Sequence, residues 1–137
     1  MRELDHVGLV VADLGASERT YAALGFGVRY RERIADQDVD VIGMTAGDST
    51  IELLKPLSAD SPLERFRAAK NSRIHHFAYR VDDIRAELVR LDRLGIKLID
   101  KAPRHGAHGN LVAFIHPSAT GDALVELCQR LPEGAAE

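Results

Sequence analysis

The stretch HVGLVVADL at residues 6–14 returns in altered form as HFAYRVDDI at residues 76–84, an offset of 70 positions. The same offset brings LGF at 24–26 onto LGI at 94–96, and a further slip of four positions aligns GDSTIEL at 47–53 with GDALVEL at 121–127. Self-similarity of this kind means that one supersecondary unit is built more than once. The sequence therefore predicts two equivalent halves.

Each half predicts the same order of elements. The first apolar run stops at Asp13 or Asp83, which can cap a helix N-terminus, and Gly25 and Gly95 suit a left-handed helix stop. Further strand-like segments follow at Val39–Met44, Thr50–Leu54, Leu111–Ile115 and Leu124–Cys128. We therefore predict an α+β fold of two tandem βαβββ modules, at about residues 4–56 and 74–130.

The predicted modules lie in a single domain at residues 1–131, followed by a loose tail at 132–137. A capping box, Ser61-Pro62-Leu63-Glu64, predicts a short linker helix at about residues 61–70, with Leu63 and Phe66 facing inward.

Composition limits the possible partners. The 137 residues carry a formal net charge of −3 with 45% hydrophobic residues, and the charges are dispersed, so nucleic acid is not expected. Apolar runs have the length of strands rather than the roughly 20 residues of a membrane helix. An N-terminus without an apolar signal core, together with one cysteine, Cys128, predicts a cytoplasmic protein.

Each half carries a histidine in its first strand and a glutamate in its last: His6 and Glu52, then His76 and Glu126. Because side chains alternate along a strand, all four are expected to point away from the face that packs on the helices. Two buried carboxylates would repel each other unless a divalent cation neutralised them. This mixed nitrogen and oxygen set suits Co²⁺, Ni²⁺, Zn²⁺, Mn²⁺ or Fe²⁺. The alternative is a pair of His–Glu ion pairs that remain from the duplication.

The duplicated unit with these four residues resembles the vicinal oxygen chelate (glyoxalase/bleomycin resistance/dioxygenase) superfamily, and within it the methylmalonyl-CoA epimerases. More specific matches are ELLKPL at 52–57 before DSP at 60–62, IHH at 74–76 with VDDI at 81–84, and GAHG at 106–109 with FIHP at 114–117. The resemblance implies an eight-stranded, U-shaped open barrel around a metal site. It also implies one divalent metal per chain, Co²⁺ first, held by His6, Glu52, His76 and Glu126.

The implied reaction interconverts (R)- and (S)-methylmalonyl-CoA, by removing and returning the C2 proton through a metal-chelated enolate. The implied partners are this small acyl-CoA substrate and a second copy of the chain in a homodimer. A glyoxalase I-like lactoylglutathione lyase is the alternative enzyme. An extradiol dioxygenase would leave Glu52 as a surplus ligand. A metal-free small-molecule-binding module of the same fold is the non-enzymatic alternative.

The acid and base are less well marked. Epimerases of this family tend to carry Glu-Gln-Gly-Val where this chain has Asp36-Gln37-Asp38-Val39. Asp36 is the first candidate base and Asp40 the second, although a solvated strand end is equally expected for both; Glu52 is an alternative base. Arg80 and His108 are candidate substrate-binding residues. The alternative for Arg80 is a salt bridge, and the alternative for His108 is a plain turn without a binding role.

Overall fold

The computed structural model describes residues 2–69 and 73–132. The chain divides into two compact units, one of Met1–Asp5 with His76–Glu137 and one of His6–His75. Lys70 of the predicted linker helix and residues 133–137 of the predicted tail lie outside the described residues. The prediction of a single domain stays a prediction.

The unit His6–His75 holds most of β1 (Glu3–Val10), then α1 (Leu14–Ala23), β2 (Val28–Ile34), β3 (Val39–Ala46), β4 (Ser49–Pro56) and α2 (Pro62–Ala69). Its four strands lie in the order β2-β3-β4-β1. Strand β1 lies parallel to β4, whereas β2 and β3 are antiparallel to their neighbours.

The core of this unit lies between α1 and one face of the sheet. Ile42, Met44 and Leu53 are its buried centre. Leu9 and Ile51 pack against that centre, which confirms the face assigned from strand alternation. Helix α1 itself contributes no fully buried residue.

The other unit holds most of β5 (Ile74–Arg80), then α3 (Ile84–Arg93), β6 (Arg104–His105), β7 (Leu111–Ile115) and β8 (Val125–Gln129). It repeats the architecture with the order β5-β8-β7-β6, and β5 lies parallel to β8. Helix α3 buries Ile84, Leu88 and Leu91 against the sheet, as its spacing predicts. The α+β class with two βαβββ modules is confirmed.

The helix ends follow the predicted chemistry. The Asp13 carboxylate accepts from the backbone N–H of Ala16 at 3.0 Å, and Asp83 caps α3 in the same way. Gly25 and Gly95 adopt positive φ angles of 105° and 78° just after the two helices. Both modules thus use an aspartate to start their helix and a glycine to end it.

The linker helix α2 departs from the predicted capping box. The Ser61 hydroxyl accepts from the Leu63 N–H at 3.2 Å, but Glu64 pairs with Arg67 instead of reaching back to the cap. Helix α2 buries no residue fully, and Leu63 and Phe66 are only partly covered. Among the described residues, no helix is long and apolar enough to cross a membrane.

Candidate functional site

The first His–Glu pair is built by two parallel neighbours, β1 and β4. Gly8 lies opposite Glu52 in the strand register, and His6 is two residues before Gly8. Because side chains alternate along a strand, His6 and Glu52 lie on the same face of the sheet. Both side chains are buried, with residue exposures of 4% for His6 and 6% for Glu52. His6 Nε2 lies 3.4 Å from Glu52 Oε1.

A tyrosine completes this first pair. The Tyr30 hydroxyl donates to Glu52 Oε2 at 2.6 Å. Tyr30 lies opposite Gly43, and Gly43 lies opposite Glu52, so the three residues form one row across β2, β3 and β4. Tyr30 is not among the site residues predicted from the sequence. The alternation of Val28, Tyr30, Glu32 and Ile34 was the available signal for β2, but the register that brings Tyr30 to Glu52 is not local.

The second pair repeats the first on β5 and β8. Ala78 lies opposite Glu126, and His76 Nε2 is 4.0 Å from Glu126 Oε2. Both residues are 5% exposed. Phe114 lies opposite Glu126 on β7, and its ring meets the His76 ring edge-on with centroids 5.8 Å apart.

Each pair has the chemistry of half a metal site. Two ligand atoms at about 2.1 Å from one ion lie about 3.0–3.4 Å apart at angles of 90–109°. The 3.4 Å between His6 and Glu52 fits this spacing, and the 4.0 Å between His76 and Glu126 is slightly wider. Imidazole nitrogen and carboxylate oxygen suit a divalent transition metal. The residues within each unit therefore fit their share of the implied ion.

The first candidate base, Asp36, is exposed on a 3₁₀ turn at Ala35–Gln37 that precedes β3. Asp38 then takes the left-handed conformation, with φ 56° and ψ 47°. Aspartate tolerates that region better than most residues. The turn therefore keeps a backbone that glycine adopts freely, although the glycine typical of the resembled epimerases is absent.

The second candidate base, Asp40, is already engaged. Arg33 donates to both of its carboxylate oxygens, at 2.7 and 3.0 Å. The Arg33 guanidinium lowers the pKa of the Asp40 carboxyl through these hydrogen bonds, so Asp40 is held in its charged form.

The two candidate substrate-binding residues occupy different surroundings. Arg80 donates to Asp5 Oδ1 at 3.2 Å and to Glu3 Oε2 at 2.9 Å, which is the salt bridge foreseen as its alternative. His108 is exposed at a left-handed position, φ 59°, in the 3₁₀ turn Ala107–Gly109. A backbone bond from Gly106 N–H to the Asn110 carbonyl at 2.8 Å closes this turn.

Two further residues have packing roles. His75, next to His76 in the chain, meets the Phe66 ring edge-on at 5.0 Å, and burial lowers the pKa of its imidazole to about 4. Cys128 is fully buried in a small cluster with Ala78 and Val112.

Known proteins extend these observations. The profile of the glyoxalase/bleomycin resistance protein/dioxygenase superfamily matches residues 5–114. An ethylmalonyl-CoA/methylmalonyl-CoA epimerase of Cereibacter sphaeroides is 40% identical over 130 residues, covering 92% of this chain and 96% of that protein. An uncharacterized protein of Bacillus subtilis, YqjC, is 37% identical over 135 residues, covering 98% of this chain and 95% of its own length.

Solved structures agree with these sequence relationships. The crystal structure of methylmalonyl-CoA epimerase from Mycobacterium tuberculosis is similar with a TM-score of 0.88 and 32% identity, covering 95% of this chain and 89% of that one. A methylmalonyl-CoA epimerase in complex with methylmalonyl-CoA and NH4+ has a TM-score of 0.87 and 28% identity, covering 94% of each chain. The chain therefore belongs to the glyoxalase/bleomycin resistance protein/dioxygenase superfamily, and its similar proteins in that superfamily include methylmalonyl-CoA epimerases.

Proposed function

We propose that the chain is a metal-dependent epimerase that interconverts (R)- and (S)-methylmalonyl-CoA. The observation that carries this proposal is the buried His–Glu pair that recurs at equivalent positions of both modules. The substrate class comes from relatives, since the Cereibacter sphaeroides protein at 40% identity is named an ethylmalonyl-CoA/methylmalonyl-CoA epimerase.

In this proposal His6, Glu52, His76 and Glu126 hold one divalent ion, with Co²⁺ as the first metal to test. The two carboxylates carry a total charge of −2, which the 2+ charge of the ion would balance, while the two imidazoles stay neutral. Without the ion, burying both charged carboxylates would cost free energy. The ion would polarise the thioester carbonyl and stabilise the negative charge that develops when the C2 proton leaves.

The proton is moved by side chains of the protein. A base removes it from one face of C2, the electron pair passes to the thioester carbonyl, and an acid returns a proton to the other face. Asp36 is the proposed base because Asp40 is held by Arg33 and Glu52 accepts from Tyr30. His108 is the proposed substrate contact. A substrate carboxylate at Arg80 would have to compete with the carboxylates of Glu3 and Asp5, which already accept hydrogen bonds from its guanidinium.

Metal content tests the ligand set. His6→Ala and Glu126→Ala should each lose bound Co²⁺ relative to the parent protein, measured by elemental analysis after dialysis. His105→Ala is the matched control, because His105 is an exposed histidine on β6 outside both pairs. Variants that retain metal as well as the parent would contradict the site, and a metal-free parent would favour a binding module.

Proton exchange tests the reaction. Metal-loaded protein in D₂O should exchange the C2 proton of methylmalonyl-CoA and interconvert its epimers, and metal-stripped protein should not. The absence of exchange together with turnover of a glutathione hemithioacetal would assign the chain to the lactoylglutathione lyases instead.

The base is tested separately. Asp36→Asn should lower the exchange rate by about 10²–10⁴-fold without loss of metal, as expected for a positioned general base. An unchanged rate would make Asp36 a surface carboxylate.

The two glutamates should respond differently to amide substitution. Glu52→Gln should keep metal and measurable exchange, because an amide oxygen can coordinate with less charge. Glu126→Gln should be more damaging to both. If Glu52→Gln is inactive while still loaded with metal, Glu52 is the base.

The proposed homodimer is tested by measuring the molecular mass of the protein in solution. The cytoplasmic location stays a prediction from the sequence.

A further inference from the structure

The contact between Tyr30 and Glu52 depends on the glycine that lies between them, Gly43. A Cβ placed on Gly43 would lie 2.3, 2.5 and 2.7 Å from ring carbons of Tyr30. Carbon atoms in contact normally lie about 3.5–4.0 Å apart. The tyrosine ring therefore lies directly on the Gly43 backbone, and this close approach is what brings its hydroxyl to Glu52.

The second module fills the equivalent row in another way. Phe114 lies opposite Glu126 in the register, as Gly43 lies opposite Glu52. An aromatic side chain thus comes from β7 in one module and from β2 in the other. Phe114 has no hydroxyl to offer a carboxylate, so the two glutamates lie beside aromatic rings of different chemistry.

The two oxygens of Glu52 face different groups. Oε2 accepts the Tyr30 hydroxyl at 2.6 Å, and Oε1 lies 3.4 Å from His6 Nε2. With one oxygen fixed in this way, the carboxylate cannot rotate freely about its last bond without breaking a short hydrogen bond in a buried site.

We infer that Tyr30 is a positioning residue for Glu52, holding Oε2 so that Oε1 is presented beside His6 as a single-oxygen metal ligand. This inference rests on the proposed metal site. Groups that orient a ligand in this way typically change metal affinity by about 10–100-fold when removed.

Tyr30→Phe tests the inference because it removes only the hydroxyl. Its Co²⁺ dissociation constant should rise about 10–100-fold, and the visible absorption bands of bound Co²⁺ should shift as the Glu52 ligand relaxes. Tyr21→Phe is the matched control. Tyr21 is a half-buried tyrosine of the same unit that packs on Phe26, with centroids 5.9 Å apart, and it should change neither quantity.

A double-variant comparison separates positioning from general loosening of the fold. In a Glu52→Gln background, which should keep metal, Tyr30→Phe should affect Co²⁺ affinity less than in the parent, because the charged carboxylate that the hydroxyl orients is gone. An unchanged affinity and spectrum in Tyr30→Phe would overturn the inference. An equal effect in both backgrounds would overturn it too.

Failure of the proposed function can be told apart from failure of this inference. If the parent binds no Co²⁺, the metal site is wrong, and the coupling of Tyr30 to Glu52 is then measured by urea unfolding of the metal-free variants. Additive effects of Tyr30→Phe and Glu52→Gln there would show that Tyr30 does not act through Glu52.

Discussion

Gly43→Ala adds a single methyl group and should disturb the first His–Glu pair indirectly, through the Tyr30 ring. Gly43 has no side chain, and an added methyl would overlap the Tyr30 ring by more than 1 Å relative to normal contact. The ring cannot stay where it is, because the overlap involves three of its carbons rather than a flexible chain end.

The magnitude follows from what Tyr30 loses. Its hydroxyl donates to a buried carboxylate, and a hydrogen bond to a charged group contributes about 1.5–3 kcal/mol. Residual crowding adds a cost of the kind that overpacking gives, so we expect a total of about 2–4 kcal/mol. With a urea m-value of about 2 kcal/mol/M, the unfolding midpoint should fall by about 1–2 M.

The assay is urea unfolding followed by circular dichroism, with two companion variants. Gly15→Ala is the control, because Gly15 is exposed in the first turn of α1 and an added Cβ meets only two side-chain ends, Arg19 Nη1 at 3.4 Å and Asp13 Oδ1 at 3.7 Å. Alanine favours a helix over glycine, so Gly15→Ala should be neutral or stabilising by up to about 1 kcal/mol.

Tyr30→Ala should rescue Gly43→Ala, since it removes the ring that the methyl strikes. The double variant should be no less stable than Tyr30→Ala alone. A parent-like midpoint for Gly43→Ala, or strictly additive effects of the two changes, would refute the reasoning that the ring lies on the Gly43 backbone.

Three smaller predictions concern the surroundings of the site. Leu88→Ala should destabilise the protein by about 3 kcal/mol because Leu88 is 2% exposed, whereas Val89→Ala should change the stability by no more than about 0.5 kcal/mol because Val89 is 50% exposed. Thermal unfolding compares the two variants, and equal effects would contradict the burial of Leu88 on α3. Asp83→Ala should cost about 1 kcal/mol through the lost cap, and no change by urea unfolding would count against that bond. Arg33→Gln should raise the pKa of Asp40, followed by NMR of its carboxyl carbon. Because the folded pKa of Asp40 is lowered, its stabilising contribution is present above the unfolded pKa and lost as pH falls through the folded pKa, so both the contribution and its loss in acid should be smaller in the variant.

The pairing of histidine with glutamate could be predicted because it needs only local rules. Strand alternation fixes which face a side chain takes, and the internal repeat shows which residues correspond. These rules predict that His6, Glu52, His76 and Glu126 point away from the helices, and all four are buried. The aspartate caps and glycine stops of α1 and α3 are equally local.

The partner of Glu52 could not be predicted because it depends on strand register. Strand β2 reads VRYRERI, in which Glu32 interrupts the alternation of Val28, Tyr30 and Ile34 and arginines fill the other positions, so its pattern is weaker than that of the other strands. Tyr30 and Glu52 are 22 positions apart and meet only through the pairing of β2 with β3 and β3 with β4. Strand β6 has two residues and leaves no sequence pattern at all.

The arginines of β2 have a consequence for aggregation. β2 is the terminal strand of its four-stranded order, so its outer backbone is available as a template for another extended chain. Arg29 bonds the Gly47 carbonyl, Arg31 pairs with Glu18 and Arg33 with Asp40, while the register shifts between Val28 and Tyr30. A second strand would have to desolvate these guanidinium groups and follow an irregular edge. The β2 edge therefore resists the strand-by-strand growth that leads to fibrils.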